Sequence, residues 1–417
     1  MRNYYHESRR RFPLKYWRGY LVAAIIAACS WGLIEFAQSH WVLVDMVYPY
    51  VSRMIQTFLT DWSAAVDFCL WQLLLLVLIA GGLASIVMMV VWKWNPIQWF
   101  GWILSVVSIV FFMNTVIYGL NDYSGPLSAD IRLEMTEYTA SELEAAGEFY
   151  RDQANKLAQE ISRDASGNPQ FPAFQELTVQ AGEGFRTQTY DHFQPIFAGS
   201  LVPVKELGWS DFFTSRGVTG ITVPITGEAA VNPQTPAVGL PFAICRQMAE
   251  RMCISNDQDA AFAAFLACDA NSAPEFRYSA YFMAYRYCYE ALASMDTSVA
   301  QAAAAKLAKG ENTQLRSDLD AYNNSFAPAA DKGYAPADTD VPEDAPIRSN
   351  VADLLTAWHI QEYVLPAMAE EVTLFDPLDE TQVDLTTNID YTSMEELEAE
   401  EEAEREAEET EETTEEE

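Results

Sequence analysis

Long runs of hydrophobic residues lie near the start of the chain, and shorter apolar stretches separated by polar residues follow. Residues 68–92 and 97–119 contain no charged residue, and each run exceeds the roughly 20 apolar residues that a helix needs to cross hydrocarbon. A third run, residues 20–38, contains Glu35 and reaches spanning length only if Arg18 extends its charge into the near interface. The pattern predicts three transmembrane helices within a membrane region over residues 20–119.

The run over residues 20–38 has a second interpretation, a secretory signal. Its segment Ile26-Ala27-Ala28-Cys29 resembles a lipoprotein cleavage site. The apolar stretch before Cys29 is only about eight residues long, which is at the low end for a signal, and more apolar sequence follows it. The sequence therefore favours a retained span.

The connection between the first two spans, residues 39–67, is also rich in apolar residues. Asp45, Arg53 and Asp61 lie among short apolar stretches, which is typical of an amphipathic helix in the membrane interface. Tyr48-Pro49 is expected to break the run. The prediction is a short interfacial helix.

Beyond residue 120 the apolar positions recur mostly at helical spacing. Two short strands, residues 217–223 and 228–232, are predicted to form a β-hairpin around a Pro-Ile-Thr-Gly turn. The fold class is therefore a mainly α membrane protein, in which three N-terminal transmembrane helices precede a predominantly α (α+β) domain over residues 120–390. Helices are predicted at residues 128–163, 171–193, 242–253, 258–268, 278–292, 298–308, 313–322 and 351–372. Residues 326–346 are predicted to be an exposed loop, and the Glu-rich residues 391–417 a disordered tail.

The charges are unevenly distributed along the chain. Lys and Arg number 25 against 60 Asp and Glu, and the net charge of −35 excludes nucleic-acid binding through a basic surface as a main activity. Residues 1–19 nevertheless carry six basic residues, and a basic N-terminus favours the cytoplasmic side. Three crossings then place residues 120–417 outside the cytoplasm. We therefore expect a multi-pass cell-membrane protein with an extracytoplasmic domain.

Four cysteines follow the membrane region, and two interpretations of them remain open. They are buried free thiols, or they form one or two disulfides in an oxidising compartment. Cys245 and Cys253 are eight residues apart on one predicted helix, about 12 Å by helical rise, which is too far for a bond between them. The other two are Cys268 and Cys288. Because the sequence has no Cys-x-x-Cys pair, a structural zinc knuckle is not expected.

Most catalytic signatures are missing from the sequence. It contains no phosphate-binding Gly-rich loop, no Gly-x-Ser-x-Gly elbow and no dinucleotide fingerprint. Of the four histidines, His192 and His359 lie beyond the membrane region, and each is isolated from the others. A site built on histidine ligands is therefore hard to form, and no cofactor is expected.

One stretch of the sequence carries a family resemblance. Residues 218–232, the helix 241–253 and the helix 257–268 resemble the bacterial membrane family known as domain of unknown function 3810. The resemblance covers most of residues 15–325, including Val47-Tyr48-Pro49-Tyr50 and Tyr118-Gly119-Leu120-Asn121. Members of this family resemble zinc peptidases, with a His-Glu-x-x-His helix and an acidic residue on the next helix. The resemblance implies a zincin-like domain, because two His four residues apart bind zinc and the Glu activates water.

This chain departs from the family at every one of those positions. Arg246 stands at the first His, Gln247 at the Glu and Glu250 at the second His. Cys253 stands at the Gly that ends the helix, and Asp259 at the acidic ligand. Because Arg cannot bind zinc and Gln cannot act as a general base, the resemblance implies a domain that has lost its catalytic residues.

The first functional expectation is a membrane-anchored pseudo-metallopeptidase that binds or scaffolds. Its partners would be the lipid bilayer and a peptide or cell-surface protein, and an edge strand beside the former active-site helix would take up the peptide. The residues expected to form this edge are Ile221, Val223, Thr226, Gly227, Glu228 and Asn232.

Two alternatives remain open. One is an active metallopeptidase in which Glu250, Asp257 and Asp259 hold a hard cation. The other is a structural membrane protein whose acidic tail recruits cations or basic partners. If the chain is instead a pseudo-metallopeptidase, we expect the Arg246 guanidinium to stand where the metal would be, bonded to Glu250, to Asp259 or to both.

Overall fold

Four helices form the N-terminal part of the computed structural model, which describes residues 16–191, 196–325 and 349–367. They are α1 (Arg18–Ser39), α2 (Trp41–Ser63), α3 (Leu70–Val91) and α4 (Pro96–Ile117). Helices α1, α3 and α4 are long and apolar enough to cross a membrane. The three predicted spans are therefore present as helices, and the chain is compatible with a membrane protein.

Close backbone packing joins two of these helices. A Cβ atom at Gly19 of α1 would overlap the carbonyl group of Gly101 of α4. Next to this contact, the Ser105 hydroxyl donates to the carbonyl oxygen of Gly19 at 2.7 Å. Small residues and hydroxyl hydrogen bonds of this kind bring helices together where the surroundings are apolar. In contrast, α3 has no buried residue along its length.

The expected break at Tyr48-Pro49 is wrong, because Pro49 lies inside α2, a continuous helix of 23 residues. Its polar side chains face the rest of the protein and hold the helix there. Gln56 Nε2 donates to the Pro224 carbonyl oxygen at 3.0 Å, and the Thr60 hydroxyl donates to the Gly227 carbonyl oxygen at 2.7 Å. Pro49 removes one backbone donor from α2, and tertiary hydrogen bonds along one face hold the helix in place.

The helical domain follows α4 and contains ten α-helices among the described residues. The predicted helix at 128–163 is wrong at its start: the long helix begins at Ala140, where Thr139 and Glu142 form a capping box. The α-helices are α5 (Leu127–Asp130), α6 (Ala140–Glu160), α7 (Phe174–Asp191), α8 (Ser210–Thr214), α9 (Leu240–Arg251), α10 (Asp257–Asp269), α11 (Pro274–Ser294), α12 (Ser298–Lys309), α13 (Thr313–Ser325) and α14 (Val351–His359). Short 3₁₀ helices span Gly119–Tyr123 and Ala237–Gly239, and a π-helix spans Ile360–Val364.

The chain divides into two compact units, Met1–Gln361 and Glu362–Glu417. The first unit contains every helix named above up to α14. In the second unit the described residues, 362–367, are helical. The predicted loop at 326–346, the tail at 391–417, His192 and the first 15 residues lie outside the described residues.

A small sheet has strands β1 (Lys205–Glu206), β2 (Gly220–Val223) and β3 (Glu228–Val231). The predicted hairpin is present, because β2 and β3 are antiparallel with Ile221 opposite Ala230. Strand β1 was not predicted; it pairs with β3 in parallel. The order β1-β3-β2 leaves β2 at an edge.

The core of the first unit surrounds α9, α10 and α11. Residues 259–268 of α10 are all buried, as expected for a helix that is apolar on every side. Helix α11 adds buried aromatic side chains, including Tyr278, Phe282 and Tyr285. All six cysteines of the sequence are described, and each is a free thiol. The four cysteines of the helical domain are buried, in agreement with the first of the two interpretations.

Candidate functional site

Helix α9 lies between the sheet and α10, and it carries the residues singled out from the sequence. Arg246 and Glu250 are one turn apart, and Arg246 Nε lies 3.5 Å from Glu250 Oε1. Arg246 Nη2 also lies 3.5 Å from Asp257 Oδ1, at the start of α10. The Arg246 side chain is 13% exposed and that of Glu250 16%, whereas that of Asp257 is 70% exposed. The structure thus places Arg246 between two carboxylates, one of which, Asp257, was not among the expected partners of Arg246.

Gln247 joins α9 to the edge strand. Its Nε2 donates to Glu250 Oε1 at 2.9 Å, and its Oε1 accepts a hydrogen bond from the Thr222 hydroxyl at 2.9 Å. The backbone approaches closely here, since a Cβ atom at Gly220 would lie 2.5 Å from Gln247 Cγ. Thr222 had no sequence signal of its own, because only the packing of β2 on α9 brings it to this position.

The electrostatic environment of Glu250 is unusual for a carboxylate. Burial raises its pKa to about 7, although Arg246 acts in the opposite direction. The negative charge of Asp257 raises the pKa further, and hydrogen bonds from Thr222 and Gln247 lower it. Because desolvation outweighs the neighbouring cation, Glu250 titrates near neutral pH.

The C-terminal end of α9 contacts α2 and the residue that follows α4. The Tyr118 hydroxyl, directly after α4, donates to the Glu250 carbonyl oxygen at 2.9 Å, and Arg53 Nε of α2 donates to the Met252 carbonyl oxygen at 3.2 Å. The Glu250 carbonyl oxygen also accepts the Cys253 N–H at 2.9 Å, and the bond from Arg53 satisfies a carbonyl group just beyond the last residue of α9. Cys253 follows with φ of 72°, a left-handed conformation that favours glycine. This backbone conformation explains why a glycine would suit the position.

Asp259 lies on the wall of a polar cavity of about 530 Å³. Its side chain is buried, and its Oδ2 accepts a hydrogen bond from the Leu127 backbone N–H at 3.3 Å. Asp45, Arg53 and Asp130 line the same cavity. Burial raises the pKa of Asp130 to about 6, with Asp45 adding to the rise and Arg53 opposing it.

The six residues of the expected peptide-binding edge have different surroundings. Ile221 and Val223 lie on β2 and are half-buried. Gly227 packs under α2, where its carbonyl oxygen accepts from Thr60, and Thr226 is buried in the same turn. Asn232 Nδ2 donates to the Thr214 hydroxyl at 2.8 Å.

Glu228, the remaining member of this set, is fully buried at the N-terminal end of α3. It pairs with Lys205 at 2.7 Å, a residue without a sequence signal. Contacts within the chain thus account for Thr226, Gly227, Glu228 and Asn232, which leaves β2 itself as the open part of this edge.

The residues at the positions that the resemblance assigns to zinc do not fit that metal. The guanidinium of Arg246 has only donors, and the Gln247 amide is held by Thr222 and Glu250. Among the described residues, no three His, Cys, Asp or Glu side chains come together as possible ligands. His359 packs against the rings of Phe149 and Tyr150, and burial lowers its pKa.

A family model described as "Protein of unknown function (DUF3810)" matches residues 44–335, more than two thirds of the chain. The chain therefore belongs to this family. The match includes β2, α9 and α10, which together form the site described above. No curated protein and no solved structure matches the chain.

Proposed function

We propose that this chain is a membrane-anchored pseudo-metallopeptidase whose helical domain binds an extended peptide along β2 without cutting it. One observation carries the proposal: β2 is an edge strand, and it packs through Thr222 and Gln247 directly on α9. In zincin-like peptidases an edge strand beside the active-site helix takes up the substrate by strand addition, and the same elements are adjacent here.

The hydrogen-bond pattern of the hairpin defines which groups a peptide would meet. The Asn232 N–H donates to the Thr219 carbonyl oxygen at 2.8 Å. Hydrogen-bonded pairs alternate along an antiparallel ladder, so Ile221 and Val223 direct their backbone groups toward β3. Gly220 and Thr222 then direct theirs toward the open edge. An added strand would therefore pair with Gly220 and Thr222.

The chemistry at α9 supports binding rather than hydrolysis. Gln247 stands where a general base would be needed, and an amide cannot accept a proton from water at neutral pH. Arg246 supplies a positive charge at the position of a metal ligand and is held by Glu250 and Asp257. The alternative peptidase with a carboxylate-bound cation is disfavoured because two of its three carboxylates, Glu250 and Asp257, already face Arg246.

Peptide binding can be tested with the full chain in lipid nanodiscs and an array of extended seven-residue peptides. A retained peptide is then N-methylated at alternate residues, in two complementary versions. Strand addition predicts that one version loses about tenfold in affinity, because two backbone hydrogen bonds of about 0.5–1.5 kcal/mol each are lost. The other version should bind as before. Failure of the folded chain to retain any peptide, or equal loss in both versions, would contradict the proposal.

Descent from a zinc peptidase has a separate test. In the variant Arg246→His, Gln247→Glu, Glu250→His, with Asp259 unchanged, the peptidase motif is restored on α9. We expect stoichiometric zinc by mass spectrometry in this variant and none in the natural chain, with the single variant Gln247→Glu as the control. Stoichiometric zinc in the natural chain together with peptide cleavage would support the active-peptidase alternative instead.

The acidic-tail alternative predicts a different result when the tail is deleted. Deletion of residues 391–417 should leave peptide binding unchanged if the site lies at β2. Loss of partners from cells after this deletion, without any peptide binding by the intact chain, would favour the tail as the functional element.

The orientation proposed for the chain places its basic N-terminus in the cytoplasm and the helical domain outside. Six basic residues among the first 19 support this orientation. Protease added to intact cells should then cut the domain. Cleavage that occurs only after lysis would indicate the opposite orientation.

A further inference from the structure

Helix α2 exposes its apolar face and buries its polar one. Met46, Met54, Phe58 and Trp62 recur at four-residue steps or multiples of them, and each is between 65% and 72% exposed. On the other face, Ser52, Gln56, Thr60 and Ser63 are buried against the helical domain. A surface helix in water has the reverse arrangement, so this face requires an apolar partner.

A second exposed apolar element lies in the helical domain itself. Trp209 and Phe212, at the start of α8, are 46% and 52% exposed. The guanidinium of Arg216 lies 3.7 Å from the centre of the Phe212 ring. Together with Trp71 and Leu75 of α3, these aromatic residues line an open apolar groove of about 800 Å³.

Hydrogen bonds fix α8 at the beginning of a span. Gln72, the third residue of α3, donates from Nε2 to the Gly208 carbonyl oxygen at 3.0 Å and accepts the Gly208 N–H at 3.2 Å. The polar amide of Gln72 is thereby satisfied by the segment that leads into α8. Leu75 lies one turn further into the same span and contacts the groove. Trp209 and Phe212 therefore stand beside the first two turns of α3, where aromatic residues of membrane proteins meet the lipid headgroups.

We propose that α2 and α8 form one lipid-binding face, which enters the leaflet on the side of the helical domain. Two observations identify lipid as the partner. The groove at α8 is continuous with the surface of α3. From Leu73 onward this helix is exposed over most of its length, and it is long and apolar enough to cross a membrane.

Helix α2 is also tied to the membrane at both ends. His40 alone separates it from α1, and residues 64–69 separate it from α3. With both neighbours in the bilayer, α2 remains at the bilayer surface, and its apolar face meets the boundary between headgroups and acyl chains. The consequence is a helical domain that is held against the bilayer by three spans and by two further contacts.

Spin labels can test both contacts in the full chain. Cys29 is exposed and the other five cysteines are buried, so Cys29→Ser provides a background for single labels. Nitroxides at Phe58→Cys and Phe212→Cys are compared with Val299→Cys on α12, which is 65% exposed. In phosphatidylcholine vesicles we expect the labels at 58 and 212 to collide with oxygen more than with a water-soluble nickel chelate. The label at 299 should show the opposite preference.

The two contacts are tested independently of each other. A label at 212 that behaves like the one at 299 overturns the role of α8, and the same result at 58 overturns the role of α2. Labels shielded from both reagents would mean that protein covers the face, which also contradicts the proposal. Because the label itself changes the surface, the natural chain is also exposed to a photoactivatable phospholipid. Mass spectrometry should then find adducts on Trp62 and Trp209 but not on Val299.

Discussion

The carboxylate of Glu228 accepts a hydrogen bond from the backbone N–H of Leu70, the first residue of α3, at 2.7 Å. Its second oxygen accepts the N–H of Trp71 at 2.8 Å. An anion at a helix N-terminus satisfies donors that have no intrahelical partner and interacts favourably with the helix dipole. The sheet of the helical domain is therefore fastened directly to the beginning of α3, one of the three helices that are long and apolar enough to cross a membrane.

This arrangement makes Glu228 sensitive to substitution. Glu228 is fully buried, and Lys205, which is 10% exposed, depends on it for an ion pair at 2.7 Å. Glu228→Ala leaves the Lys205 ammonium with two carbonyl acceptors but no counter-charge, and it leaves two N–H groups unsatisfied, so we expect a loss of about 3–5 kcal/mol in the free energy of unfolding. Denaturant unfolding of the detergent-solubilised chain measures it. The control is Glu144→Ala, whose partner Lys306 is 61% exposed, and it should leave the unfolding midpoint almost unchanged.

The spans were the most predictable part of the fold. Residues 68–92 were predicted and α3 extends over Leu70–Val91, because a long uncharged run has few other stable structures. The break expected at Pro49 was wrong because side chains of α2 donate hydrogen bonds to carbonyl groups elsewhere in the chain, and these bonds support the helix. The start of α6 was missed although Thr139 and Glu142 carried the signal of a capping box. Strand β1, with two residues, offered no periodicity to detect.

Two glycines of α7 give a matched pair with opposite expected effects. A Cβ atom at Gly184 would overlap the carbonyl oxygen of Ala267 in α10, whereas at Gly182 the nearest atom is 3.6 Å away. Gly184→Ala should cost about 3 kcal/mol because two helix backbones must separate. Gly182→Ala should stabilise the chain by about 0.5–1 kcal/mol through helix propensity. Thermal unfolding of both variants compares them, and equal effects would contradict the close contact between α7 and α10.

The site was predictable only where it depends on one helix. The four-residue spacing of Arg246 and Glu250 indicated that their side chains could meet, and they do so in the structure. The approach of Asp257 depends on the turn between α9 and α10, and that of Thr222 depends on the position of the sheet. Neither distance follows from a local pattern, since each is set by packing between elements that are separate in sequence.

The raised pKa of Glu250 predicts a pH-dependent stability. Its pKa in the folded chain is about 7, above its ordinary value of 4.5, so the folded state binds this proton more tightly. The corresponding stability is fully present below pH 4.5 and is lost as the pH rises through 7. Between pH 5 and pH 8 the loss should be about 2–3 kcal/mol. Glu250→Gln should remove this part of the pH dependence, whereas an unchanged slope would show that Glu250 does not titrate in this range.

The last prediction concerns Arg246, whose charge stabilises ionised Glu250. Without Arg246, the buried carboxylate must remain unpaired or take up a proton at higher pH. We expect Arg246→Ala to cost about 2–3 kcal/mol at pH 8, less than a fully stranded charge because protonation relieves part of it. At pH 5 Glu250 is already protonated in the folded chain, and Asp257 is too exposed to hold Arg246 strongly, so the cost should fall below about 1 kcal/mol.

A double-mutant cycle at pH 8 separates this charge effect from simple loss of packing. In the Glu250→Gln background, Arg246→Ala should cost less than about 1 kcal/mol, because the amide needs no counter-charge. Unfolding free energies of the four chains give the coupling between the two residues directly. Equal costs in both backgrounds would mean that Arg246 contributes through its aliphatic stem alone. The 3.5 Å approach to Glu250 would then have no energetic consequence.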